Sequence, residues 1–471
     1  MRRIEAGGIC EVVEFGRDVL WEKTWRAVSC ESLEKRAKIA KNHRGWLDCG
    51  SHWQEANSHA CCVLGLLDIL EFAGSRLIPD EREAVEEQVR VGLDLLGWYQ
   101  DLAGERPGGR GALIHEMPEH RDQIVPSDAS KAAVAFARAA RWLGSDHERT
   151  QYRQRATAAC EWLATAKPCG AHGFSAEAHG VAPDTPVPND LMTRDLLMEL
   201  WAVIELARGS ALPARARELV RQILARQFVE LPAGVEYPGQ FATFAGWPRP
   251  EPAWTHFLGK GSVGNDVGAT VPHWVVPLMR LADWWPDDPL AAEVREAVKR
   301  FAYGYFLPAC RANPFLILPL GEFPGEGLIW FAGLWHGMNS TYGWAAALAL
   351  EFAAFFGDAD FRPIAEGNLQ WIAGLNAGIH PGVEVGCELS TPPVIPGRYL
   401  PVSMIYGIGR RYFGSWKTIT GSIGSGFCTG RSFHFDVPPK KDFDAPSSFA
   451  DEDWITFNGA WLSAISRLQA L

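Results

Sequence analysis

The chain runs to 471 residues, is 47% hydrophobic and carries a net charge of −11, which is enough to bury one large core or two ordinary ones. Its Lys and Arg residues form no long block, so nucleic acid and anionic membrane are excluded as expected partners. The first 30 residues show no apolar leader and no stretch reads as a bilayer span, so a cytoplasmic location is expected.

Ten cysteines are scattered along the chain without a C-x-x-C pair, which argues against a thiolate zinc site. No run of Asp and Glu has the spacing of a calcium loop, so no metal or other cofactor is expected. The 20 tryptophans are the compositional oddity. About half of them fit core packing. The others, in irregular segments, suit flat platforms for the C–H faces of sugar rings.

Period 3.6 dominates and period 2 is scarce. A first helix is expected over 11–27. A densely apolar helix follows over 52–73, carrying Val63, Leu66, Leu67 and Leu70, and its partner over 80–102 repeats Val85, Val89, Leu93 and Leu96 on one stripe. Gly74, Ser75 and Pro79 separate the two. The same paired unit recurs as 128–143 with 147–166, 190–207 with 213–228, 270–284 with 289–301, and 341–356 with 361–375. A final helix over 452–471 is left to mate with the first.

About twelve helices result, and the loops between them alternate between short and long. Every long loop, at 28–51, 103–127, 167–189, 229–269, 302–340 and 376–451, leads into the same set of helices. Six antiparallel hairpins closed into a ring would gather those loops on one face. An all-α (α/α)6 barrel is the simplest such form, with an open α-solenoid as the alternative. The whole chain is expected to be one domain, with residues 1–44 as an N-terminal helix and lead-in.

Two stretches stand at equivalent places in that scheme. Gly45-Trp46-Leu47-Asp48-Cys49-Gly50-Ser51-His52-Trp53 precedes the second helix, and Asp451-Glu452-Asp453-Trp454 opens the last. Ring closure would bring Asp48 and Glu452 to one rim. Each also has a plainer reading: Glu452 as helix N-terminal charge, Asp48 as a turn residue, and Ser51 as an N-cap.

At these residues the chain resembles glycoside hydrolase family 9, the cellulase and cellodextrinase group. Gly45-Trp46-Leu47-Asp48-Cys49-Gly50-Ser51 is similar to the family's G-W-x-D-A-G-D. Glu452 stands six residues before Asn458, as the family's acid stands before the Asn of N-E-x-A-x-x-Y-N-A. Weaker likenesses fill the middle in the right order. They are Gly111-Ala112-Leu113-Ile114-His115, Pro126-Ser127-Asp128-Ala129-Ser130-Lys131-Ala132-Ala133, Trp335-His336-Gly337-Met338-Asn339-Ser340 and 368–376. The immunoglobulin-like module that often precedes the family's barrel is not expected, because only about 45 residues precede the motif.

The resemblance implies an (α/α)6 barrel that hydrolyses a β-linked glucan or oligosaccharide with inversion. Glu452 would be the general acid, with Trp454 and Phe449 as an apolar surrounding that raises its pKa. Asp48 would help to hold the attacking water, and an inverting acid and base stand roughly 6.5–9.5 Å apart to leave room for it. Here the chain departs from the pattern, because the family's base position holds Ser51, whose hydroxyl has no useful basicity. Asp48 alone, Asp48 assisted by His52, or loss of hydrolysis would each accommodate that. Trp46, Trp53, His115, Trp247, Trp254, Trp335 and Arg398 are the candidate sugar contacts. The rival readings are a phosphorylase-like transferase, whose phosphate nucleophile needs no carboxylate base, and an inactive carbohydrate-binding protein. Oligomeric state is left open.

Overall fold

The structure is a computed structural model that describes residues 45–46, 54–117, 124–166, 188, 190–253, 275–323, 327–330, 339–375, 383–384, 388–389, 405, 421–427 and 449–470. Two residues of extended chain, β1 (Gln54–Glu55), lead into helix α1 (Ala56–Asp68), which ends in a π-helical turn, Ile69–Ala73. Then come α2 (Pro79–Gly104), β2 (Glu116–Met117), α3 (Pro126–Trp142), α4 (Asp146–Thr165), α5 (Thr193–Leu206) and α6 (Ala214–Leu224). Next are α7 (Val276–Trp284), α8 (Pro289–Lys299), a π-helical segment Arg300–Phe306, α9 (Leu307–Arg311) and the hairpin β3 (Gly321–Phe323) with β4 (Gly327–Ile329). The chain continues through α10 (Asn339–Phe356), α11 (Arg362–Ala373), β5 (Val383–Glu384), β6 (Glu388–Leu389), β7 (Gly424–Phe427), β8 (Phe449–Asp453) and α12 (Ile455–Ala470).

Local chemistry explains the helix ends. Proline occupies the first helical position of α2, α3 and α8, where no intrahelical N–H is needed. Ser145 and Glu148 cap the start of α4 reciprocally. The two expected helices at 52–73 and 452–471 begin later than periodicity suggests. Gln54–Glu55 pair antiparallel with Glu116–Met117, and Phe449–Asp453 pair with β7, so both lead-ins are strands.

Six helices form a closed inner ring, α1, α3, α5, α7, α10 and α12, each packed on the next, with α12 returning to α1. Outside it α2 backs α1, α4 lies against α3 and α5, α6 bridges α5 and α8, α8 backs α7, and α11 lies against α10 and α12. Every residue of α1 is buried. By length and composition, Ala56–Ala73 would pass as a membrane span, contrary to the expectation from sequence, yet 83% of it is buried inside the ring. Burying each Leu of this core is worth roughly 1.5–3 kcal/mol.

Small residues let the ring close. A Cβ on Gly65 would lie 2.1 Å from the Gly459 carbonyl oxygen, and one on Gly343 would lie 2.6 Å from the Ala460 Cβ. Thus α12 meets α1 and α10 nearly backbone to backbone.

Toward the C-terminal ends of the inner helices, charge alternates around the ring: Asp68, Arg138, Glu205, Arg280, Glu351 and Arg467. Arg138 donates to Asp68 at 2.7 Å, Arg280 to Glu351 at 2.5 Å, and Arg467 to both Glu351 at 2.8 Å and Asp68 at 2.7 Å. Glu71 binds Arg138 and Arg141, and Arg141 reaches Glu205. Burial alone would raise the Glu71 pKa, but Arg138, Arg280 and Arg141 hold it down to about 2.

The opposite end, formed by the N-termini of the inner helices, receives the described parts of the long loops. β1 and β2 pair there, Thr193 N–H bonds the Thr243 carbonyl, and Asn339 Nδ2 donates to the Gly424 carbonyl in β7.

Candidate active site

At this loop-bearing end, α1 and α12 stand side by side. The chain enters α1 from the Gly45-Trp46 stretch through β1, and enters α12 from β8, whose Asp453 lies opposite Gly424. The two singled-out stretches therefore lead into neighbouring ring helices. Glu452 is in β8 and does not open the last helix, which starts at Ile455 with no acidic residue in its first turn. Trp454, just before α12, stacks on Phe457 with ring centroids 5.6 Å apart. Asp48, Ser51, His52, Trp53, Trp254, Trp335 and Arg398 lie outside the described residues, as does the expected helix over 11–27.

Trp46 needs correcting as a sugar platform. It is fully buried, its ring is stacked on His59 at 5.4 Å, and its indole N–H donates to Gln88 Oε1 at 3.1 Å. The backbone N–H of Trp46 donates to His59 Nε2 at 3.0 Å, while His59 Nδ1 bonds the Glu55 carbonyl at 2.8 Å. Burial depresses the His59 pKa to about 4, so the ring is neutral and this tautomer serves both bonds. The Gly-Trp pair is an anchor that pins the approach of residues 45–46 to α1.

His115 is also not an open sugar contact, being only 2% exposed. Its Nδ1 lies 3.0 Å from Asp128 Oδ2 and its Nε2 lies 3.7 Å from Glu55 Oε1. Burial alone would depress its pKa, but Asp128, then Glu55, raise it to about 9, so the imidazole is cationic at neutral pH. Burial raises the pKa of Glu55, and His115 and Ser58 oppose that rise. Asp128 is likewise raised by burial and opposed by His115. Ser58 Oγ donates to Glu55 Oε2 at 2.6 Å.

Behind this row lie further buried polar groups on the N-terminal turns of α1, α3 and α5. Lys131 bonds Asn57, Ser127 donates to Asp195 at 2.5 Å, and Arg194 pairs with Glu251 at 3.3 Å. Burial lowers the pKa of Lys131 and pushes that of Glu251 up to about 8. Ser127 and Lys131 stand in the 126–133 motif noted from sequence, whereas Asn57, Arg194, Asp195 and Glu251 were not singled out. The available signals were Asp128 and Lys131 interrupting an Ala-rich helix face, and Glu55 directly before an apolar run. Trp247, a candidate platform, is half-buried, meets Phe244 edge-on at 5.6 Å and packs beside Met192 near the start of α5.

No family model matches the sequence, and no curated protein matches it. Among solved structures the chain is similar to a metagenome-derived glycoside hydrolase family 9 endoglucanase, with 17% identity and a TM-score of 0.55. That match covers 91% of this chain and 71% of the other. A family 9 protein of Bacteroides ovatus aligns at 13% identity and a TM-score of 0.53, over 91% and 72%. The cellulase Cel9M of C. cellulolyticum aligns at 12% and 0.50, over 90% and 86%. At these identities the likeness is one of fold: the chain has the (α/α)6 barrel found in the glycoside hydrolases of family 9.

Proposed function

We propose that the protein hydrolyses β-linked gluco-oligosaccharides with inversion at the anomeric carbon. Glu452 protonates the leaving oxygen and Asp48 helps to hold the attacking water. The observation that carries this reading is ring closure, which sets α12, entered from the Glu452 strand, directly against α1, entered from the Asp48 stretch. The two helices are remote in sequence, and closure of the ring makes them neighbours. The loop-bearing end next to them holds buried carboxylates with raised pKa values, the condition that acid–base catalysis near neutral pH demands. Cel9M, which shares the fold, has also been solved in complex with cellobiose, which supports a cello-oligosaccharide as the first substrate to try.

The test is product release from a panel of β-linked oligosaccharides, with and without phosphate, for the natural protein and Glu452→Gln. Cleavage without phosphate that the substitution abolishes supports hydrolysis with Glu452 as acid. Cleavage that requires phosphate and yields a sugar 1-phosphate replaces this reading with phosphorolysis. Full activity in Glu452→Gln removes the assignment of the acid.

A further inference from the structure

By the motif resemblance Ser51 occupies the position of the hydrolytic base, and a neutral hydroxyl cannot take a proton from water. Four residues further on is Glu55, at the start of α1 on the loop-bearing end of the ring. It ends a row of three groups graded from the interior outward. The Asp128 side chain is 0% exposed, that of His115 is 2% and that of Glu55 is 16%. Ser58 from its own helix fixes one Glu55 oxygen, and His115 faces the other. Asp128 and Lys131 face it from α3, and Glu116 lies opposite in the β1–β2 ladder.

We propose that Glu55 is the general base of the hydrolysis, with His115 and Asp128 as its positioning residues. The inference rests on the hydrolase reading above. In the step, water attacks the anomeric carbon from the face opposite the leaving group, and one of its protons passes to the Glu55 carboxylate. The glycosidic C–O bond breaks with its electron pair on the leaving oxygen, which takes the proton of Glu452. Glu55 ends protonated and Glu452 ionised, and exchange with solvent restores both. Burial raises the pKa of the Glu55 carboxylate, and the neighbouring His115 cation and Ser58 oppose that rise by favouring its ionised form. Asp128, wholly buried behind His115, holds that cation in place. Asp48 then needs only to orient the water.

The test uses 2,4-dinitrophenyl β-cellobioside, whose leaving group departs without protonation, beside cellotetraose. Glu55→Gln is expected to lower kcat on the aryl substrate about 10²–10⁴-fold, the usual worth of a general base. Glu452→Gln is expected to lose far less on it than on cellotetraose. Adding azide to Glu55→Ala is expected to restore turnover and to give the α-glycosyl azide. Circular dichroism and the unfolding midpoint check that each variant is folded, and Glu55→Asp should recover part of the rate. Loss of the cation in His115→Gln should move the acidic limb of the pH profile upward, which a purely structural role would not do. Glu55→Gln with wild-type turnover on the aryl substrate overturns the proposal alone. So does azide rescue found in Asp48→Ala and not in Glu55→Ala. A folded natural protein inert toward both substrates overturns the hydrolase reading, and this proposal with it.

Discussion

Arg467 donates from Nη1 to Asp68 Oδ2 at 2.7 Å across 399 residues of chain. That bond ties the last helix to the first of the inner ring and completes the circuit of alternating charge. Both residues are almost wholly buried, where an ion pair stabilises only if its hydrogen bonds are satisfied. Here they are: Asp68 also accepts from Arg138 and Ser463, and Arg467 also reaches Glu351.

Arg467→Ala would leave Asp68 and Glu351 each short of a partner in the core. The expected loss is about 3–5 kcal/mol of folding stability, read as a fall in the urea midpoint. The control is the exposed pair Arg311–Asp360, where Arg311→Ala should cost less than about 1 kcal/mol. Equal effects from the two substitutions would remove the ring-closing role of Arg467.

Close backbone approach between α1 and α12 makes a separate prediction. A Cβ on Gly459 would lie 2.6 Å from the Cys61 carbonyl oxygen, so Gly459→Ala must push the helices apart. Overpacking of this kind costs about 1–3 kcal/mol, so the midpoint of thermal unfolding should drop clearly. A substitution to Ala at Gly104, where nothing lies within 4 Å, should not lower it.

Trp46 should behave as a core residue. Trp46→Phe is expected to lower the unfolding midpoint, because it gives up the bond to Gln88 and leaves a void beside Gly92. It should leave KM for cello-oligosaccharides unchanged. A large rise in KM with stability intact would restore the platform role expected from sequence.

His115 gives the folded protein a pH signature. Its pKa is raised from an ordinary 6.5 to about 9, so its stabilising contribution is complete below pH 6.5 and is lost as pH rises through 9. Unfolding free energy in the natural protein should therefore decline over that window more steeply than in His115→Gln. Parallel curves for the two proteins would show that His115 is not held as a cation.

Much of the ring was legible in the sequence, because period 3.6 and the Gly/Pro punctuation reflect local energetics that each hairpin obeys by itself. The helix expected over 80–102 is α2, Pro79–Gly104, and the one expected over 147–166 is α4, Asp146–Thr165. What misled was pairing across long distances. Nothing local to Gln54–Glu55 or Phe449–Asp453 announces a strand, since each depends on a partner supplied by another loop. Trp46 was misread for a similar reason, because an indole in a loop motif looks exposed until His59 and Gln88 arrive from α1 and α2. The Glu55–His115–Asp128 row is split between three stretches of chain, and although His115 and Asp128 each stand in a motif noted from sequence, no single stretch shows that the three meet.

The measurement that tests the central claim most directly is the anomeric configuration of the new reducing end. Purified protein would be mixed with cellotetraose in phosphate-free buffer and followed by proton NMR within the first minutes, before mutarotation scrambles the signal. An inverting hydrolase with Glu452 as its acid predicts the α-anomer first, and no release by Glu452→Gln. Initial appearance of the β-anomer, or undiminished release by Glu452→Gln, would contradict it.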